Sequence, residues 1–182
     1  MKTIISDLGN VIVTVNEEYL NKFNTPETLC FLKNLEKGKI SEQEFIRKIY
    51  KKKVMNLEEF HETFISIFKP NKEMIEFLKT LKGKYKLIIL SNTNKIHIDF
   101  LKRKFPEIFF FDSYLLSFEI GSRKPEEETF RKVVEQAGCK PEECLYIDDV
   151  REFTDAAKKQ GMETIHYRSF PQFKQDFQNI IK

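Results

Sequence analysis

The sequence predicts an α/β fold, a doubly wound parallel-sheet, Rossmann-like core with a small all-helical cap inserted after its first strand. Three observations carry this. Short apolar runs without polar alternation recur along the chain, as expected of strands buried on both faces. Amphipathic helical stretches separate those runs. One block, from about Tyr19 to Phe68, has helical periodicity throughout.

In chain order, Thr3–Ser6 reads as a buried strand that delivers an acid, Asp7, at its tip. Inside the helical block, "GKISEQEFIRKIY" offers Ser41 as N-cap with Glu44 three residues on, a capping box. Phe45, Ile46, Ile49 and Tyr50 then share one face. "NLEEFHETFISIF" repeats the device with Asn56 and Glu59, and its stripe is Leu57, Phe60, Phe64, Ile67 and Phe68, stopped by Pro70. Beyond it, "EMIEFLKTLK" is a helix closed by Gly83, "KLIILS" a strand, "IHIDFLKRKF" a helix and "SYLLS" a strand. "PEEETFRKVVEQAG" is a helix with Pro125 in its first turn and Gly138 past its end. "CLYID" and "METIHY" are strands on either side of the helix "EFTDAAKKQG", and "PQFKQDFQNII" closes the chain as an amphipathic helix. The core is expected over residues 1–15 and 71–182, and the cap over 16–70.

The composition bounds the function. The chain has 182 residues, 32% of them charged and 41% hydrophobic, with a formal net charge of +3. That is an ordinary globular composition with room for one core. The mild positive charge suits an anionic small molecule. Basic runs such as Lys51–Lys53 lack interleaved aromatics and read as solvated faces, which argues against a nucleic-acid surface. The first residues carry no signal-peptide pattern, and no apolar run approaches membrane-spanning length. Cys30, Cys139 and Cys144 are odd in number and form no metal or disulfide pattern. A cytoplasmic location is expected.

In a doubly wound sheet, ligands bind beyond the carboxyl ends of the strands. Asp7 follows the first strand, and Ser91-Asn92-Thr93-Asn94 follow the second. Gly121-Ser122-Arg123-Lys124-Pro125 lie beyond the third, and Asp148-Asp149 end the fourth. Each alone has a plain structural reading: a strand-end cap, a helix N-cap, a solvated lysine, a capping pair. Together they bring three carboxylates, a hydroxyl and an ammonium to one edge. Three acids without His or Cys suit a hard cation such as Mg²⁺. A cation, a lysine and a hydroxyl can grip a phosphate, and one carboxylate can attack it. His97 stands three residues past Asn94 and could overhang the site, whereas His61 and His166 read as structural.

In that order, "DLGNV", "LSNTN", "RKP" and "IDDVRE" resemble the four motifs of the haloacid dehalogenase-like hydrolase superfamily, over a stretch from about Ile4 to Tyr167. The helical insert resembles that superfamily's small cap of the first type. The wording is nearest to the bacterial glucose-1-phosphate phosphatase group and to the phosphatase domain of soluble epoxide hydrolases. The resemblance implies a Mg²⁺-dependent phosphatase of a small phosphorylated metabolite, such as a sugar phosphate. It implies Asp7 as nucleophile and metal ligand, and Ser91 and Asn92 as phosphate-binding. Lys124 would hold nucleophile and phosphate together. Asp148 and Asp149 would be metal-binding acids, with Glu152 assisting at the rim.

Three positions depart from the pattern. Ser6 stands where a bulky apolar residue is usual, and Phe153 near a position often filled by Asn. Gly9 occupies the place of a second acid, which in the superfamily's phosphatases serves as general acid and base; its backbone carbonyl would still reach the metal. Two other classes fit parts of the pattern. A haloacid dehalogenase uses the same aspartate on carbon but leaves the Asp148-Asp149 pair without a task. A degenerate, non-catalytic binding protein is favoured by Gly9 and opposed by Asp7, Lys124 and the acid pair. Phosphonate hydrolysis would add a lid lysine forming a Schiff base.

Overall fold

The computed structural model describes residues 1–16, 25–51 and 67–181. Five parallel strands form its sheet: β1 (Thr3–Ser6), β4 (Lys86–Ser91), β5 (Ser113–Leu116), β6 (Cys144–Asp148) and β7 (Glu163–His166), in the spatial order β5-β4-β1-β6-β7. All five runs expected to be strands are strands. β1 lies centrally because the chain builds outward to β5 on one side, then returns to lay β6 and β7 on the other.

The unalternating strands are explained by their two covered faces. Side chains of a strand alternate between faces. Ile4, Leu87, Ile89, Leu145 and Ile147 therefore join one buried cluster, while Ile5, Ile88, Leu90 and Tyr146 join the other. The first cluster is completed by α3 (Lys72–Leu81), through Met74, Ile75 and Leu78, by α4 (Lys95–Lys104), and by α8 (Phe170–Ile180), through Phe173 and Phe177. The second is completed by α6 (Glu127–Ala137), whose Phe130 meets the Tyr146 ring edge-on at 5.6 Å, and by α7 (Arg151–Lys159). The short α5 (Ser117–Ile120) follows β5 directly.

Between β1 and β4 the chain departs from the sheet. β2 (Val13–Val15) pairs antiparallel with β3 (Phe68–Pro70), a two-stranded ribbon from which the insert leaves and to which it returns. Within the insert, α1 (Pro26–Glu36) and α2 (Glu42–Lys51) pack through Leu35, Phe45 and Ile49. Ser41 caps α2 as expected, its Oγ accepting the Glu44 N–H at 3.1 Å.

Two details correct the sequence reading. Phe68 belongs to β3 and not to a helical stripe, because its backbone pairs with Val15, and Ile67 just before it lies in no helix either. Pro125 precedes α6 instead of opening it, and the Lys124–Pro125 peptide is cis. The Asn56–Glu59 cap, the stripe of Leu57, Phe60 and Phe64, and His61 lie outside the described residues. Among the described residues no helix is long and apolar enough to cross a membrane.

Candidate functional site

The carboxyl end of β1 is the point where the strand order reverses, with β4 on one side and β6 on the other. Such a crevice is where an open α/β sheet binds its ligands. The structure brings Asp7, Ser91, Asn92, Lys124, Asp148 and Asp149 to this edge.

Lys124 is the hub. Its ammonium, 1% exposed, lies 2.8 Å from Asp7 Oδ1 and 2.7 Å from Asp148 Oδ2. The Phe153 ring covers it, with its centroid 5.2 Å from Nζ. This cation–π contact gives a physical reason for an aromatic at that position. The backbone of Lys124 is clamped from β4's tip. Lys124 N–H donates to Asn92 Oδ1 at 2.8 Å, and Asn92 Nδ2 donates to the Lys124 carbonyl at 2.9 Å. The side-chain amide of Asn92 thus positions Lys124 with one N–H and its oxygen, and its second N–H and its backbone remain for a ligand.

A buried ammonium between two carboxylates is costly unless every partner is satisfied. Asp148, fully buried, accepts from Lys124, from the Tyr146 hydroxyl and, at Oδ1, from Val150 N–H at 2.8 Å. Three of its four or so lone-pair directions are taken. Asp7 is less satisfied. Burial pushes its carboxyl up to about 7, the Lys124 charge opposing and the Asp148 charge adding to the rise. Burial likewise raises Asp149, against a hydrogen bond from Asn10.

Asp149 is oriented from two sides. Asn10 Nδ2 donates to its Oδ2 at 3.0 Å, while Asn10 Oδ1 accepts the Val15 N–H at 3.0 Å. His166 Nε2 meets the Asp149 carbonyl at 2.9 Å. Asn10 holds φ +52°, a conformation Asn tolerates better than most residues. Oxygens of Asp7, Asp148 and Asp149 all lie within 4.8 Å of one another. An all-oxygen donor set with open oxygens on Asp7 and Asp149 fits a hard divalent cation such as Mg²⁺. Without one, the like charges account for part of the upward shifts.

Beside Asp7 lies a cavity of about 170 Å³ among the described residues. Ser91 lines it, and its Oγ takes no hydrogen-bond partner among the described residues. The segment Leu8-Gly9 forms one wall. Gly9 is not required by backbone strain, and a Cβ there would meet Asp7 Oδ2 and Val15 at 3.9 Å, ordinary contact distance. His97 also lines the cavity, its ring edge-on to Phe68 at 4.9 Å with Nδ1 facing the Asn94 amide. Ser6 satisfies its buried hydroxyl by donating to the Asp7 carbonyl at 2.8 Å. Glu152 is exposed and lies in a separate depression with Pro125 and Lys159.

Sequence reasoning missed Tyr146, the positioning role of Asn10, and an ion pair between Glu36 and Arg123. A signal existed for the first, since strand alternation puts Tyr146 on the same face as Asp148.

A family model described as haloacid dehalogenase-like hydrolase matches residues 3–167. A curated relative, a D-ribitol-5-phosphate phosphatase of Bacteroides thetaiotaomicron, is 24% identical over all of this chain and 98% of its own length. The crystal structure of a haloacid dehalogenase family enzyme from the same organism superposes with a TM-score of 0.84 at 28% identity, covering 97% of this chain and 98% of that one. Another crystal structure of a haloacid dehalogenase family enzyme from that organism, the wild-type protein in complex with magnesium and inorganic phosphate, gives 0.80 at 27% identity, covering 93% and 96%.

Proposed function

The chain belongs to the haloacid dehalogenase-like hydrolase family, and on that premise we propose that it is a Mg²⁺-dependent phosphatase acting on small phosphomonoesters through an aspartyl phosphate on Asp7. The observation that carries this reading is the buried Asp7–Lys124–Asp148 chain with Asp149 beside it, and, in the cavity that Asp7 lines, a Ser91 hydroxyl with no partner among the described residues. The relatives support it: one is named a phosphatase, and one is in complex with magnesium and phosphate.

Asp7, Asp149 and the Gly9 carbonyl would hold Mg²⁺, with Asp148 supporting them from its hydrogen-bonded position. The bound cation would neutralise phosphate charge. Ser91 Oγ donates to a phosphate oxygen, and the Lys124 ammonium holds Asp7 and the phosphate together. Asp7 attacks phosphorus, the ester P–O bond breaks, and the departing alkoxide takes a proton from solvent water, a proton that the attacking water of the second step gives back. Water then attacks the acyl phosphate and releases inorganic phosphate, regenerating the carboxylate. Residues 16–70, which leave from β2 and return through β3, serve as the lid that limits access to small substrates. A haloacid dehalogenase would leave the clustered acids without use.

The test is phosphate release from a panel of phosphomonoesters, with Mg²⁺ or with chelator. Chelation is expected to cut turnover at least about tenfold, and added Mg²⁺ to restore it. Full turnover of a haloacid in chelator would sink the assignment.

The titration of Asp7 adds a second expectation. Its raised carboxyl binds a proton more tightly in the metal-free fold than in the unfolded chain. That contribution to stability is present at pH 4 and is lost as pH rises through about 7. Metal binding needs the ionised form, so it competes with that proton. Mg²⁺ affinity should therefore weaken about tenfold per unit as pH falls below 7, and level off above. Isothermal calorimetry from pH 5.5 to 8.5 measures it, and a flat profile would contradict the shift.

A further inference from the structure

One carboxylate in the cavity has no part in the phosphate chemistry. Glu36 ends α1, in the insert, and lines the same cavity as Asp7 and Ser91. Its side chain is 13% exposed and pairs with Arg123, 20% exposed, the residue just before Lys124. Arg123 Nε lies 3.1 Å and Nη2 3.0 Å from the same oxygen, Glu36 Oε2. Oε1 takes no partner among the described residues.

The local backbone fixes this arrangement. Lys37, next in sequence, pairs with Glu126 at 2.5 Å. Two ion pairs of opposite polarity thus seat the end of α1 on the loop that carries Lys124. Gly38 follows at φ +65°, where an added Cβ would stand 2.6 Å from the Phe118 carbonyl oxygen. The chain passes over α5 too closely for a side chain at that point.

A tie between insert and core alone would be served best by the two-oxygen fork that Arg and a carboxylate ordinarily make. Here the guanidinium converges on one oxygen, and a largely buried carboxylate keeps the other for the contents of the cavity. Burial holds the Glu36 carboxyl above its usual range, with the Arg123 charge opposing. An ionised carboxylate only accepts hydrogen bonds. Its complement is a hydroxyl, and it repels a second acid. The volume near 170 Å³ is below the roughly 300–1,000 Å³ of pockets for drug-sized ligands, so the complement is small.

Resting on the phosphatase reading, we propose that Glu36 is a specificity-determining residue. Its carboxylate accepts a hydrogen bond from a hydroxyl on the alcohol part of the ester, and so selects small polyhydroxylated phosphates over deoxygenated or acid-bearing ones. Arg123 is a positioning residue that holds Glu36 in the cavity.

The test compares kcat/KM with Mg²⁺ for a pentitol 5-phosphate and for n-pentyl phosphate, in wild type, Glu36→Gln and Glu36→Ala. The ratio of the two is expected to fall about tenfold or more in Glu36→Ala. A smaller fall, of at least about threefold, is expected in Glu36→Gln, whose amide oxygen accepts without charge. The fall should lie mostly in KM. Loss of a structural tie would lower both substrates alike and leave the ratio unmoved, and that result overturns the proposal. If Glu36→Ala does not fold, the isosteric Glu36→Gln decides on the same ratio. A wild-type enzyme that hydrolyses neither ester overturns the phosphatase reading and this assignment with it. Wild-type turnover of both, with an unmoved ratio in the variants, overturns this assignment alone.

Discussion

Asp7→Asn protein is expected to lose about 10³-fold or more of its phosphatase turnover while remaining folded. The substitution keeps the shape of the side chain and removes the attacking charge, so the covalent route is lost whole. The fold should survive because Lys124 keeps Asp148 at 2.7 Å as counterion. Removing one of three clustered acids also relieves repulsion, so the thermal midpoint should hold or rise in metal-free protein. Steady-state hydrolysis of phenyl phosphate, thermal unfolding and trapping of a labile acyl phosphate check the three parts. Near-wild-type turnover in the variant would mean that another group carries the reaction. Loss of activity together with loss of fold would mean that the Asp7–Lys124 pair is structural first.

How much of this was legible beforehand depended on how local each signal is. The five sheet strands are continuous apolar runs, and a run buried on both faces declares itself without reference to its partners. The polar residues at their tips were legible for the same reason: once the strands are parallel, Asp7, Ser91 and Asp148 must share an edge, while Lys124, beyond β5 and α5, is brought there by its loop. The β2–β3 ribbon was not. Its strands have three residues each and pair across more than fifty positions, Thr14 opposite Lys69. Three residues carry no usable period, and Phe68 fits a helical stripe equally well. Pro125 was misplaced because Pro next to a helix start ordinarily opens it, whereas here it belongs to the turn that presents Lys124. The Glu36–Arg123 pair joins segments 87 positions apart, and neither residue is marked by its neighbours.

Gly9 is where the resemblance and the geometry bear on each other most directly. An acid at this position would protonate the departing alkoxide and later deprotonate the attacking water. Glycine can do neither, so in this protein the phosphorylation step should depend steeply on leaving-group acidity. Aryl phosphates should outrun primary alkyl phosphates, and a sugar's anomeric phosphate should fall between. Asn10 offers no remedy, since its amide has no titratable proton and is held between Asp149 and Val15. The site has room for the missing acid: a Cβ on Gly9 stands 3.9 Å from Asp7 Oδ2 with no closer neighbour among the described residues, and the backbone there is unstrained. General acid catalysis is worth roughly 10²–10⁴-fold. Gly9→Asp should therefore raise the phosphorylation rate of alkyl phosphates by about 10²-fold or more in Mg²⁺ and change aryl phosphates little. The slope against leaving-group pKa would flatten. Pre-steady-state bursts over a series of alkyl and aryl esters measure it, because steady-state rates report the slower of two steps. A wild-type burst rate indifferent to the leaving group would show that a proton donor is already in place. His97, which lines the same cavity, would then be the residue to substitute next.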